Sequence, residues 1–250
     1  MEIGAYLQCY KNPYATYKCL ESFRKFYPNS TVVLLSDNGY HYMEMAKHFK
    51  CIYIHKYDKA TFIHKNFEND SHILNNAVLI NRMIEVFQLI KEDYVIWLED
   101  DVSINGIISC SFNHDLNGFC PNPIQKFILE NLKKTYTNLD IESKYYFTGH
   151  GGSVYKKTAA LECFKNTEIW KDVVENWQLY NTNEIETPSD ICQDFLFSIL
   201  FVLNGKTIGP YEGHHDFPHF LHESITVQHQ YKQFYNVELP DELKYLVKII

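Results

Sequence analysis

No two of the seven cysteines stand at C-x-x-C spacing, so the chain lacks the ligand pairs of a zinc ribbon or a thioredoxin-like redox site. Cys9, Cys19, Cys51, Cys110, Cys120, Cys163 and Cys192 form an odd, scattered set that reads as reduced core thiols. Cys110 and Cys120 bracket a short loop and would bridge only in an oxidising compartment. Basic charge is scarce too. Lys and Arg number 23 against 31 Asp and Glu, a net charge of −8, and the lysines are dispersed, which argues against a nucleic-acid partner. No apolar run approaches the roughly 20 residues of a membrane helix. Phe195 to Leu203 is too short and contains Ser198. The opening Met1-Glu2-Ile3-Gly4 has neither the basic nor the apolar region of a secretory signal, so the expected location is cytoplasmic, without a membrane span. G-x-G-x-x-G and P-loop patterns are also missing, which removes dehydrogenase and kinase readings.

What remains is apolar and aromatic: 46% hydrophobic and 16% aromatic in 250 residues, enough for one sizeable core. Ile3 to Gln8 reads as a short buried strand. Lys11-Asn12-Pro13 then opens a helix with Tyr17, Leu20, Phe23 and Phe26 on one face. Thr31 to Ser36 is a near-continuous apolar strand ending in the turn Asp37-Asn38-Gly39. A helix (40–49), a strand (51–54), a polar irregular segment (56–71) and a long helix (73–90) lead to a strand at Tyr94–Leu98. This alternation predicts an α/β fold: one domain with a doubly wound, mostly parallel sheet flanked by helices. That domain divides into a first half (1–103) and a second half (104–250). In the second half, 106–123 reads as an insertion loop, 124–132 as a helix and Tyr145–Phe147 as a strand. Helices are expected at 157–164 and 169–180, and from Pro188-Ser189-Asp190 through 191–203, with a strand at 207–209.

Ligands of such sheets sit at the carboxyl ends of the strands. There the Tyr94–Leu98 strand ends in Glu99-Asp100-Asp101. Adjacent carboxylates repel one another unless water, hydrogen bonds or a cation stabilises them. A hard divalent ion shared with phosphate oxygens resolves the conflict and offsets charge on a leaving diphosphate.

Val95 to Val102 resembles the acidic DXD-type segment of glycosyltransferases of the GT-A type, in an E-D-D form. Thr148-Gly149-His150-Gly151-Gly152-Ser153-Val154-Tyr155 resembles their glycine-rich segment near the sugars. Ser189-Asp190-Ile191-Cys192-Gln193-Asp194 resembles the segment whose last carboxylate is the base of inverting members, with Gln193 where an acid is common. The resemblance spans roughly residues 1–230 and implies that the half 1–103 binds nucleotide and the half 104–250 binds acceptor and carries the catalysis. It implies a soluble enzyme moving a sugar from a nucleoside-diphosphate sugar, UDP favoured, to an acceptor hydroxyl on a glycan or other molecule, with Mn²⁺ or Mg²⁺.

The roles it implies are these. Asp101 binds the metal, Asp100 contacts ribose or a metal-bound water, and Glu99 orders the turn. Asp37 contacts base or ribose, or is simply a turn former. Gln8 and Tyr10 line the base pocket, and Arg82 reaches a phosphate. Gly151 and Gly152 admit a sugar close to the backbone. Asp194, early in a helix whose dipole keeps it ionised, is the base of an inverting transfer. Among the late histidines (His214, His215, His219, His222, His229), His214 is the first choice as metal ligand or diphosphate contact and His229 the second. Two other functions share parts of this pattern: a sugar nucleotidyltransferase, although its G-x-G-T-R-type loop is missing, and a non-catalytic carbohydrate-binding domain using Trp97, Trp170 or Trp177.

Overall fold

The computed structural model describes residues 2–58, 72–182, 191–217 and 224–249, with side chains 72–75 excepted. Most of the 56–71 segment, the helix opening at 188–190, and His219 and His222 lie outside the described residues. In chain order the strands of the first half are β1 (Ile3–Cys9), β2 (Val32–Asp37), β3 (Ile52–Lys56) and β4 (Tyr94–Leu98). Between them run α1 (Pro13–Phe26), α2 (Met43–His48) and α3 (His72–Leu89). Then come β5 (Ser103–Ile104), β6 (Leu116–Asn117), α4 (Lys126–Thr135), β7 (Val154–Lys156), α5 (Lys157–Lys165), α6 (Thr167–Tyr180) and α7 (Gln193–Leu203). The chain closes with β8 (Ile208–Gly209), β9 (His214–Asp216), β10 (Val227–His229) and a 3₁₀ turn at Asp241–Leu246.

The main sheet has the order β3-β2-β1-β4-β7-β6-β8. Its first four strands are mutually parallel, while β7 runs antiparallel to both β4 and β6. Central strands must bury both faces, and the alternation shows how. Tyr6, Val33, Leu35, Val95 and Trp97 point into a core made with α3 to α7. Ile3, Ala5, Leu7, Val32, Leu34, Ile96 and Leu98 point the other way, against α1 and α2.

The strand expected at Tyr145–Phe147 is only an isolated bridge between Pro123 and Tyr146; the sheet strand is β7, with Val154 and Tyr155 fully buried. A second, three-stranded sheet, β5-β10-β9, lies beyond the tip of β4. The Tyr231 amide donates to the Asp101 carbonyl at 2.9 Å, tying the exit of β10 to the acidic turn. Among the described residues no helix is long and apolar enough to cross a membrane.

Candidate active site

After β1 the chain steps outward to β2 and β3, then returns to lay β4 on the opposite side of β1. Connections leaving the carboxyl ends of β1 and β4 therefore part in opposite directions and open a crevice between them. Gln8 and Cys9 end one strand, and Glu99 follows the other directly. The acidic triplet turns tightly, with the Val102 amide donating to the Glu99 carbonyl at 3.0 Å.

The three carboxylates take different settings. Glu99 uses one oxygen, Oε1, to accept from Trp97 Nε1 (2.9 Å) and Gln193 Nε2 (2.8 Å). Its other oxygen, Oε2, faces His229 Nε2 at 3.2 Å. Burial works to raise its pKa, but the His229 contact and the Trp97 donor outweigh that and hold it below the usual value. Asp100 accepts from the Tyr235 hydroxyl, and burial raises its pKa. Asp101 is 4% exposed; its Oδ1 has no hydrogen-bond partner and stands 3.5 Å from His229 Nε2. Burial, with the Glu99 and Asp100 charges, pushes its pKa up to about 7 against the pull of His229. Glu99 is thus more than a turn former.

Opposite this edge stand three buried imidazoles. His229, on β10, has Nδ1 at 2.8 Å from Asp216 Oδ1. Burial lowers its proton affinity, but hydrogen bonds with Asp216 and Glu99 carry its pKa to about 10. His150 packs 4.9 Å from the His229 ring and is held neutral by burial, with a pKa of about 4. His214, the expected metal ligand, spends both nitrogens on backbone: Phe119 N–H donates to Nδ1 (2.8 Å) and Nε2 bonds the Gly151 carbonyl (3.0 Å). It therefore braces the glycine loop, and the imidazole facing the carboxylates is His229.

The glycines likewise make room for these rings. A Cβ on Gly151 would lie 2.6 Å from His229 Cδ2; one on Gly152, whose φ is +87°, would lie 2.5 Å from His214 Nε2. Ser198, the polar residue inside apolar α7, holds the same loop from the other side, exchanging hydrogen bonds with Thr148 N (2.8 Å) and O (2.7 Å).

At the start of α7, Gln193 is buried against Glu99. Asp194 follows, and burial together with the Glu99 charge pushes its pKa up to about 7. His229 and Asp216 also act on it electrostatically, and its neighbour Gln193 bonds Glu99.

The nucleotide-side predictions fare differently. Asp37 is fully buried, paired with Arg82 Nη1, and receives Gln8 Nε2 at 3.4 Å. Arg82 is 2% exposed and also pairs with Asp58 Oδ1 at 3.1 Å, so its guanidinium is held between the buried Asp37 and the exposed Asp58 instead of reaching out to a phosphate. Gln8 further accepts from the Tyr6 hydroxyl at 2.7 Å. Tyr10 stays half-buried at the end of β1, with the Lys11 ammonium 5.1 Å from its ring centre.

Glu99, Asp101 and His229 bring one ligand atom each to within 4.8 Å of one another. An orphaned buried carboxylate oxygen, a second carboxylate and an imidazole form a donor set that suits Mn²⁺, and the arrangement fits a cation. Sequence reasoning missed Asp216 and His150, which form a second such group with His229. The legible signal was a histidine set between glycines, Gly149-His150-Gly151; Asp216 and His229 close strands of three residues, too short to read in the sequence.

A sheet whose topology switches at β1 and β4, with an acidic turn at the switch and an antiparallel strand next to it, is a GT-A-like fold. No family model matches the sequence, and no curated protein matches it. Solved structures do. The galactosyltransferase LgtC, in complex with donor and acceptor sugar analogues, superposes with a TM-score of 0.53 at 12% identity, over 98% of this chain and 100% of that one. A glutamine-to-glutamate active-site mutant of LgtC gives 0.51 at 11% identity, with the same coverage. At such identities the likeness is one of fold.

Proposed function

We propose that the chain is a metal-dependent glycosyltransferase that moves a sugar from a nucleoside-diphosphate sugar, with UDP the favoured nucleotide, to an acceptor hydroxyl. The observation that carries this reading is Asp101 Oδ1: a buried carboxylate oxygen without a hydrogen-bond donor, facing Glu99 and His229. An unmatched buried oxygen of this kind is costly unless a cation completes it. Glu99, Asp101 and His229 would hold the ion, which supplies Lewis-acid neutralisation of a departing diphosphate. The LgtC complex, with donor and acceptor analogues in the same fold, supports a crevice that takes both substrates.

The remaining roles belong to the protein. Trp97 and Gln193 fix Glu99 through Oε1, so that Oε2 stays directed at the ion site. Asp194, with a pKa near neutrality, accepts the proton of the acceptor hydroxyl, a contribution of about 10²–10⁴-fold. Gln8 and Tyr10 line the base side of the crevice. A base in this position predicts inversion at the anomeric carbon.

The test is hydrolysis and transfer from a panel of UDP-sugars with Mn²⁺ and with chelator, following product anomers by NMR. Activity that needs Mn²⁺, is lost in Asp101→Asn, and drops about 10²-fold or more in Asp194→Asn supports the reading. Turnover unchanged by chelator and by Asp101→Asn would remove it. The LgtC active-site glutamine supports a second assignment, in which Gln193, buried beside Glu99, faces the donor sugar. Retention of anomeric configuration would move the central role from Asp194 to Gln193.

A further inference from the structure

We infer that Asp216 is the positioning residue for His229: it accepts a hydrogen bond from Nδ1–H and so keeps Nε2 directed at Glu99 and Asp101, where a cation would take its lone pair. The inference rests on reading those three residues as cation ligands. Its basis is a contrast of distances around one ring. Asp216 Oδ1 to His229 Nδ1 is 2.8 Å, the length of a charge-assisted hydrogen bond. On the other edge, Nε2 stands 3.2 Å from Glu99 Oε2 and 3.5 Å from Asp101 Oδ1, at and beyond the long end of hydrogen bonding. One side of the imidazole is a single short bond; the other is shared among longer contacts, to Glu99 and to the Gln230 amide, whose Nε2 lies 3.3 Å away.

Backbone register makes the pairing a property of the sheet. β9 and β10 run parallel with Asp216 directly opposite His229, and the Phe217 amide donates to the His229 carbonyl at 3.0 Å just beyond them. Cross-strand partners at one register position share a face, so the carboxylate meets the ring without help from loop geometry. His150 borders the pair, its Nε2 3.5 Å from the same Asp216 oxygen. Asp216 thus does for His229 what Trp97 and Gln193 do for Glu99: it occupies the far atom and aims the near one. Partners of this kind fix the tautomer and orientation of a ligating imidazole and raise its basicity.

His150, Asp216 and His229 also satisfy the spacing of a cation site of their own. The 2.8 Å contact decides against that use, because an ion there would have to displace the Nδ1 proton and open the bond.

The test combines Mn²⁺ titration calorimetry with ¹⁵N spectra of histidine-labelled protein loaded with diamagnetic Zn²⁺. We expect one equivalent of Mn²⁺ and a proton on His229 Nδ1 in the unaltered protein. Asp216→Ala should weaken Mn²⁺ about 10–100-fold. Asp216→Asn, whose amide oxygen still accepts from Nδ1, should weaken it less and melt close to the parent. Unchanged Mn²⁺ affinity and an unchanged Nδ1 signal in Asp216→Ala would overturn the assignment. So would a second Zn²⁺ equivalent that disappears with Asp216, which would make it a ligand. If Asp101→Asn leaves Mn²⁺ binding intact, the ligand reading fails on its own account, separately from the Asp216–His229 bond that the ¹⁵N signal reports.

Discussion

Three side chains at the crevice set how the protein responds to pH. The carboxyls of Asp101 and Asp194 are pushed, chiefly by burial, from 3.8 to about 7. Across that interval the folded chain binds more protons than the unfolded one, so stability falls as pH rises. His229, despite burial, is carried by Asp216 and Glu99 from 6.5 to about 10. Its contribution is complete below 6.5 and is lost as pH rises through the folded value. Both effects run the same way, and above about pH 6.5 the buried, neutral His150 and His214 no longer oppose them, so in chelator the melting temperature should decline from neutral to alkaline pH. A cation binds the deprotonated groups, so Mn²⁺ affinity should climb over the same range and its stabilisation be greatest at the alkaline end. Calorimetry in paired buffers checks both trends; a melting temperature that rises with pH in chelator contradicts them. Gly151→Ala offers a steric probe of the same ring. Its Cβ would press on His229 Cδ2, so Mn²⁺ binding should weaken about tenfold or more, measurable by the same titration.

Arg82 and Asp37 join two elements, α3 and β2, through a buried ion pair, with side chains 3% and 0% exposed. Arg82→Met would leave Asp37 buried without its cation and should cost about 3–5 kcal/mol in urea unfolding. The double variant Asp37→Leu with Arg82→Met should recover most of that loss. From the sequence Arg82 was expected to reach a phosphate; helical periodicity reports which face is apolar, not which polar residue finds a buried partner. Elsewhere the elements were legible in proportion to their length. Tyr94–Leu98 falls where its apolar run lies, and α1 and α6 sit within a few residues of their expected spans. β5, β6, β9 and β10, of two or three residues each, are too short to show a period of two, so the small sheet that carries His229 could not be read. The acidic turn was evident because three charges after a buried strand have few purely structural uses. The histidine facing it was ranked second to His214, whose two backbone bonds depend on contacts distant in sequence.

For the molecule as a whole, ligand binding should register as stability. A true UDP-sugar donor should raise the melting temperature only with Mn²⁺ present, reflecting a stabilisation of about 2.7 kcal/mol at a hundred times its Kd. Differential scanning fluorimetry across sugar nucleotides reads this, and equal shifts in chelator would point to binding without the ion. The stretch that follows β10 gives this coupling a temporal side. His229 meets Glu99 from 130 residues further along the chain, and Tyr235 reaches Asp100 from 135. The parallel strands β1 to β4 are all made before either partner leaves the ribosome. During synthesis the nascent protein therefore displays a bare acidic turn, without its imidazole or its phenol. On the function proposed above, metal capture, and any sugar chemistry that depends on it, waits until the stretch carrying His229 and Tyr235 has been translated and folded back.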